Sequence, residues 1–173
     1  MRFNDMLFYE KQKFTQPWIW IILLGANAIF VYGVITQVVL GQPFGDHPAS
    51  NSVLIIILLF LIALTSVMVM TKLETVIEKD GLQVRFFPYQ TSFRRYSWDT
   101  IQKAYTRKYN PIGEYGGWGL RGFGKNRAMN VSGNEGLQLV LADDKKLLIG
   151  TRKAKEIESV FRKIGRLGNL HPG

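Results

Sequence analysis

The chain has no cysteine and only two histidines, His47 and His171, among its 173 residues. Without cysteine there is no disulfide framework, no thiolate-bound zinc or iron–sulfur cluster, and no thiol nucleophile. His47 lies in a predicted loop and His171 is the third residue from the end, so they build neither a histidine cluster for zinc nor a conventional catalytic triad. We therefore expect no metal, no cofactor and no catalytic residues.

Charged side chains are missing from two long stretches of the sequence. No Asp, Glu, Lys or Arg occurs between Lys13 and Asp46, and none between Asp46 and Lys72. An apolar run of 23 residues, 18–40, makes a helix of about 34 Å, which is enough for a hydrocarbon core of about 30 Å. With a second run at 53–72, too little protein remains to bury both. The sequence predicts two transmembrane helices joined by an external loop, 41–52.

The distribution of lysine and arginine predicts the orientation of these helices. The loop between the two runs contains neither residue type, whereas basic residues flank the runs on their other sides: Arg2, Lys11, Lys13 and Lys72. Both termini are therefore expected in the cytoplasm, with residues 1–17 as a cytoplasmic N-terminal segment. Trp18 and Trp20 lie where aromatic anchors of the membrane interface belong, although they could equally be lipid-facing apolar bulk.

Residues 73–173 have the pattern of an α+β domain. Alternating apolar positions predict strands at 73–79 and 82–87, and Asp80-Gly81 between them favours a type I′ hairpin turn. The same pattern predicts further strands at 91–96, 101–109, 137–142 and 146–150. Apolar residues then recur at three- and four-residue steps, which predicts an amphipathic helix over 153–167. A series of antiparallel strands followed by one helix indicates a curved sheet covered by that helix.

Four segments carry a family resemblance: VIEKDGLQVRFFP (76–88), SWDTIQKAY (97–105), EYGGWGLR (114–121) and GLQLVLADDKKLLIGT (136–151). With the two preceding apolar runs, they resemble the YyaB-like branch of bacterial membrane-anchored proteins with a PH-like domain. The resemblance implies a membrane α-helical hairpin plus an α+β domain, a PH-like antiparallel β-barrel capped by a C-terminal amphipathic helix. It also implies a multi-pass protein of the bacterial plasma (inner) membrane. It supplies no ligand-binding residues.

Residues 110–136 include eight glycines. GLRGFGK (119–125) matches part of a P-loop, but Asn126 stands where a Ser or Thr would ligate magnesium, and no long helix follows. GWGLRG (117–122) matches a dinucleotide-binding pattern without its strand–turn–helix setting. We interpret both matches as coincidence in a glycine-rich stretch.

Two interpretations of this glycine-rich segment remain open. In the first, the glycines permit tight bends where strands curl, and Trp118 and Phe123 pack in the interior. In the second, a basic-aromatic rim faces lipid head groups or a partner protein, since arginine binds phosphate and tryptophan suits an interface. The candidate rim residues are Tyr115, Trp118, Arg121, Lys125 and Arg127.

Three functional classes are compatible with these features. The first is a non-enzymatic interaction module, an accessory subunit or scaffold of an inner-membrane protein complex. The second is a sensor that binds anionic lipid head groups or another anionic ligand through the rim. The third is a membrane-surface enzyme that uses Asp/Glu or a Ser/Lys pair. We expect no nucleic-acid partner. The formal net charge of +9 is already explained by the orientation of the membrane helices and by proximity to anionic lipid.

Overall fold

The computed structural model describes residues 6–122 and 124–165, which divide into two compact units. The hairpin unit, Thr15–Met70, contains two helices. The second, the α+β unit, is built from the chain on both sides of the hairpin. Helix α1 (Pro17–Val34) continues into a π-helical turn, Ile35–Val39, and helix α2 is Asn51–Met70. The strands and shorter helices of the α+β unit are given below.

The hairpin unit confirms the prediction of two long apolar helices. Pro17–Val39 and Asn51–Met70 are each long and apolar enough to cross a membrane, and only 11% and 6% of their most apolar windows are buried. The second helix ends at Met70 rather than at residue 72, because Lys72 is already paired in a sheet with Lys13 and Phe87. Most of the apolar surface of both helices is therefore exposed.

Hydrogen bonds from polar side chains link the two helices within the hairpin unit. The Asn27 amide donates to the Thr65 hydroxyl at 2.9 Å, so Asn27 bonds the neighbouring helix. Near the connection, the Gln37 amide donates to the Ala49 carbonyl at 2.6 Å and to the Asn51 side chain at 2.8 Å. Hydrogen bonds of this kind link helices in an apolar setting, where water does not compete for the polar groups.

The α+β unit contains two sheets and two further helices. The first sheet has the order β1-β2-β3-β4, with β1 (Met6–Lys13), β2 (Lys72–Glu78), β3 (Gly81–Phe87) and β4 (Arg94–Ser97). The second has the order β5-β8-β9-β7-β6, with β5 (Ile101–Lys108), β6 (Gly119–Arg121), β7 (Asn126–Asn130), β8 (Glu135–Leu141) and β9 (Lys146–Gly150). The helices are α3 (Pro111–Tyr115) and α4 (Ala154–Lys163).

The first strand of this unit precedes the helical hairpin in the chain. Residues 1–17 were expected to be a segment apart from the domain at 73–173, but β1 pairs antiparallel with β2 from Met6 to Lys13. Phe8 joins the apolar core, and Glu10 is buried where it accepts hydrogen bonds from the Thr151 hydroxyl at 2.6 Å and the Arg152 backbone at 2.9 Å. The helical hairpin is thus an insertion between two paired strands.

The hairpin between β2 and β3 corrects the predicted type I′ turn. Glu78 pairs with Gly81, so the two turn residues are Lys79 and Asp80, and none of these residues has a positive φ. A Cβ on Gly81 would lie 2.5 Å from the carbonyl oxygen of Tyr96. Glycine is therefore needed for the close approach of β4 rather than for a left-handed turn.

Both sheets contribute to one core, together with α4. The pairing is antiparallel except between β7 and β9, which are parallel, and no ladder joins the two sheets into a closed barrel among the described residues. Helix α4 buries Ile157, Val160 and Phe161, and the Phe161 ring meets the Trp98 ring edge-on at 5.6 Å. The predicted amphipathic helix is confirmed, but it ends at Lys163 and is followed by Gly165 in the left-handed conformation.

A buried carboxylate in the first sheet makes stability pH-dependent. Burial raises the pKa of Glu74, but the hydrogen bonds from Arg85 and Tyr9 outweigh it, so the net pKa is below its usual 4.5. Such a carboxylate stabilises the fold above its unfolded pKa, and this contribution is lost as pH falls through the lower folded pKa. We expect Glu74→Gln to lower the unfolding free energy by about 2 kcal/mol at neutral pH.

This deficit should shrink as the pH is lowered below 4.5, and chemical denaturation at several pH values measures it. Glu156→Gln is the control, because that side chain is 58% exposed in its pair with Lys153. A deficit of the Glu74 variant that stays constant down to pH 3 (about one unit below the usual glutamate range) would contradict this assignment.

Candidate functional site

The glycine-rich segment begins with a short capped helix. The Asn110 side chain accepts hydrogen bonds from the backbone of Ile112 at 3.2 Å and of Gly113 at 2.9 Å, and Pro111 occupies the first turn. The Glu114 carboxylate accepts a hydrogen bond from the Asn110 backbone N–H at 2.8 Å. Helix α3 ends where Gly116 adopts φ +70°, a conformation that glycine allows without strain. Helix α3 is therefore stabilised by local contacts at both of its ends.

Arg107 and Glu114 form the main charged contact of this segment. The guanidinium donates two hydrogen bonds to the carboxylate, at 2.7 and 3.2 Å, and a third to the Tyr115 hydroxyl at 3.3 Å. The hydrogen bond from Arg107 lowers the pKa of Glu114. The same hydrogen bond raises the pKa of Arg107. Burial raises the pKa of Tyr115, so its phenol stays protonated. The Arg107 guanidinium is thus bound by side chains of the protein itself.

Asn130 connects the glycine-rich segment to the sheet. It is fully buried at the end of β7, where its amide donates to the Tyr109 hydroxyl at 3.0 Å and its oxygen accepts from the Gly119 backbone at 2.9 Å. Tyr109, Tyr115, Ala128 and Leu148 form a small apolar cluster beside it. The start of the segment thus packs in this small cluster, whereas Met129 and Val131 near its end belong to the main core.

We expect Asn130→Ala to destabilise the α+β unit by about 2 kcal/mol, because it leaves the Tyr109 hydroxyl and the Gly119 N–H without their partner. Asn126→Ala on the same strand is the matched control, since Asn126 is exposed and its side chain accepts a single long hydrogen bond, from the Tyr115 hydroxyl at 3.5 Å. Thermal unfolding followed by tryptophan fluorescence compares the two variants. Equal melting temperatures would show that the Asn130 hydrogen bonds do not stabilise the segment.

The five candidate rim residues lie on or beside α3 and the paired strands β6 and β7. Tyr115 is half-buried against Tyr109, and the Arg121 guanidinium donates to the Trp118 carbonyl at 2.9 Å. Lys125 and Arg127 are exposed and make no side-chain hydrogen bond or ion pair with another described residue. Tyr115 and Arg121 are thus bonded within the protein, and the Tyr115 hydroxyl lies 3.5 Å from the Asn126 side chain, which stands between the exposed Lys125 and Arg127.

The structural interpretation of the glycines is supported in part. A Cβ on Gly122 (φ +79°) would lie 2.1 Å from the Asn126 carbonyl, so glycine is required at the bend between β6 and β7. Trp118 is half-buried outside the main core and donates to the Gly133 carbonyl at 3.0 Å. Phe123, the other expected interior residue, lies outside the described residues.

The P-loop match covers the β6–β7 hairpin, which confirms that no helix follows it. Among residues 6–122 and 124–165, no group of three or more His, Asp or Glu side chains is placed to hold a metal ion. Arg107 and Glu114 were missed as part of the site, although the Asn-Pro-x-x-Glu spacing at 110–114 is a recognisable helix-start signal. Comparison of the chain with known protein families and with curated proteins gave no match.

Proposed function

We propose that the chain is a membrane-anchored interaction module, an accessory subunit or scaffold of a bacterial inner-membrane complex, with no catalysis of its own. The observation that carries this proposal is the exposure of two long apolar helices inserted between paired strands of the α+β unit. A core helix of a soluble protein would be mostly buried. Removal of the first helix with a leader peptide would also remove β1, which the first sheet needs.

The connections of the hairpin support the proposed topology. Three residues separate Lys13 from α1, and Thr71 alone separates α2 from Lys72. Because Lys13 and Lys72 are paired across β1 and β2, both helix ends attach to neighbouring strands, which favours one side of the bilayer for both. The positions of lysine and arginine favour the cytoplasmic side. Trp18, which is 55% exposed, and Trp20 remain the proposed interface anchors.

The strand order supports a divergent PH-like fold for the α+β unit. An antiparallel four-stranded sheet is followed by the antiparallel series β5-β8-β9, and α4 packs against the core. Two insertions distinguish the α+β unit from a simple PH-like fold. They are the helical hairpin between β1 and β2, and the glycine-rich segment with β6 and β7. Each sheet ends in two edge strands that are paired on one side only among the described residues, and the open side of an edge strand is a surface to which a partner can add.

Purification of the native protein in mild detergent tests the interaction function. We expect a stoichiometric companion protein at native expression levels, and the companion should also be recovered when the other protein is purified. A monodisperse chain without a companion at native levels would overturn the proposal. A tagged, unrelated two-helix membrane protein of similar abundance is the control for nonspecific capture.

A second candidate function, contact with anionic lipid head groups, is favoured by one end of the first sheet. Lys72 lies 5.3 Å from the ring centre of its strand partner Phe87, and Arg85 lies 4.5 Å from that of Phe93. Tyr89 between them is 63% exposed. Aromatic and basic residues together suit a membrane interface. Glu74 pairs with both Lys72 and Arg85, so these three side chains carry one net positive charge, which contributes about 1 kcal/mol near anionic lipid.

Hydrogen exchange of the full chain in nanodiscs tests this second function. Residues 88–93 should exchange more slowly in nanodiscs with anionic lipid than in neutral ones, and added salt should reduce the difference. Equal exchange in both lipids would remove the head-group proposal.

A further inference from the structure

An edge strand and the start of the last helix frame a cavity of about 500 Å³ in the α+β unit. Strand β5 forms one wall, and the first turn of α4 with the residues before it forms the other. Five of the lining side chains are basic and three are acidic: Arg107, Lys108, Arg152, Lys153 and Lys155, with Glu135, Glu156 and Glu158. The cavity has a basic excess and lies beside an open strand edge.

Strand β5 can accept a further strand. It is the terminal strand of its sheet and pairs with β8 alone among the described residues, so one row of backbone donors and acceptors lacks a ladder partner. Its sequence, IQKAYTRK, has three basic residues and no acidic one. An extended peptide adds to such an edge through main-chain hydrogen bonds, and pockets beside the edge give specificity through its side chains.

Two of the three acidic residues of the cavity have partners, and the third, Glu135, lies opposite Lys108 across the β5–β8 ladder. Glu158 accepts a hydrogen bond from the Thr106 hydroxyl, and Glu156 pairs with Lys153 at 3.0 Å. Lys108 and Lys155 make no ion pair with another described residue. An acidic occupant would therefore meet the unpaired charge of Lys155 directly, and at Lys108 it would compete only with Glu135 on the neighbouring strand.

The backbone donors just before α4 already have partners. The Arg152 N–H donates to the Glu10 carboxylate at 2.9 Å, and the Lys153 N–H donates to the Thr151 hydroxyl at 2.9 Å. The Arg152 guanidinium is held by the Ser132 hydroxyl at 2.7 and 2.9 Å. A small anion would find these donors engaged, which favours an extended segment that bonds the β5 edge instead.

We propose that this groove binds an extended acidic segment of a partner protein, which adds as a strand to β5 and places its carboxylates against Lys108 and Lys155. The inference deepens the proposed interaction function and rests on it. Lysines on an edge strand also serve to prevent unwanted pairing. The two roles differ in their selectivity, because a binding edge accepts an acidic strand, whereas a guarded edge accepts none.

The test uses the full chain in detergent and three synthetic ten-residue peptides. The first alternates valine and glutamate, the second alternates valine and lysine, and the third is the acidic peptide with alternate backbone nitrogens methylated. We expect only the unmethylated acidic peptide to bind and to slow hydrogen exchange within residues 101–108. Binding of the methylated peptide with protection confined to 152–156 would indicate simple anion binding and would overturn the proposal.

Paired charge reversals locate the site. The double variant Lys108→Glu/Lys155→Glu should weaken binding of the acidic peptide at least about tenfold, as expected for two reversed contact charges. The control Arg162→Glu/Lys163→Glu makes the same change of net charge at the other end of α4, where both residues are exposed, and should bind like the wild type. Equal loss in both variants, or no binding by any peptide, would overturn the proposal.

The native companion separates this inference from the proposed function. If the companion co-purifies with the wild type and is lost from the Lys108→Glu/Lys155→Glu chain, the groove is its binding surface. If the companion is retained by that variant, the interaction function stands and the groove is not the site. Absence of any companion from the wild type overturns the proposed function itself.

Discussion

Phe8→Ser should destabilise the α+β unit by about 4 kcal/mol or more, close to the entire stability of a marginal domain. Phe8 lies in the strand before the helical hairpin and is 6% exposed in the main core. Its loss leaves a cavity and a polar group in an apolar site. Hydrogen exchange of β2 and β3 in the full detergent-solubilised chain measures the effect, and both strands should lose protection.

Lys11→Ser is the matched control for this result, because Lys11 lies on the same strand with an exposed side chain. The control should leave exchange in β2 and β3 unchanged. If Phe8→Ser also exchanges like the wild type, β1 does not belong to the folded sheet. The hairpin would then be an N-terminal extension rather than an insertion.

Phe161→Ala is expected to cost about 3–5 kcal/mol, the second-largest effect of a single substitution. Phe161 is fully buried where α4 packs on the core, and its ring contacts the buried Trp98. Removing it should detach α4, expose Trp98 and red-shift the tryptophan emission of the chain. Arg162→Ala, at the exposed next position, is the control. An unchanged unfolding midpoint for Phe161→Ala would show that α4 does not stabilise the sheets.

The elements whose residue pattern repeats along the chain are predictable from the sequence. Uninterrupted apolar runs indicate two helices whatever their surroundings, and the alternation in β3 and β8 indicates half-buried strands. Helix α4 is equally clear, because its apolar positions recur along one face. These signals are local, and each is repeated over several residues.

Strand β1 could not be predicted in the same way, because two of its inward positions are polar. Glu10 and Gln12 face the core with Phe8, and their partners Thr151 and Gly150 lie far along the chain. Polar residues become compatible with burial only when such partners are present. The alternation of apolar and polar residues therefore fails at β1.

The candidate rim illustrates how far composition can locate a site. Arg121 and Tyr115 have the right chemistry for a ligand, but their polar groups are engaged with the Trp118 carbonyl and with Arg107. Gly81 was interpreted through its turn propensity, although its role is the close approach of Tyr96. The contacts of Tyr115 and Gly81 join separate elements, so sequence spacing does not show them, whereas the contact of Arg121 is local, three residues back along the chain.

Cysteine accessibility tests the central claim, that the helical hairpin crosses the membrane and the α+β unit faces the cytoplasm. The chain has no cysteine, so Asp46→Cys in the loop and Arg162→Cys on α4 each provide a single reactive thiol. In intact spheroplasts, a membrane-impermeant maleimide should label Asp46→Cys, and it should label Arg162→Cys only after the membrane is permeabilised. Labelling of Arg162→Cys in intact spheroplasts would contradict the account.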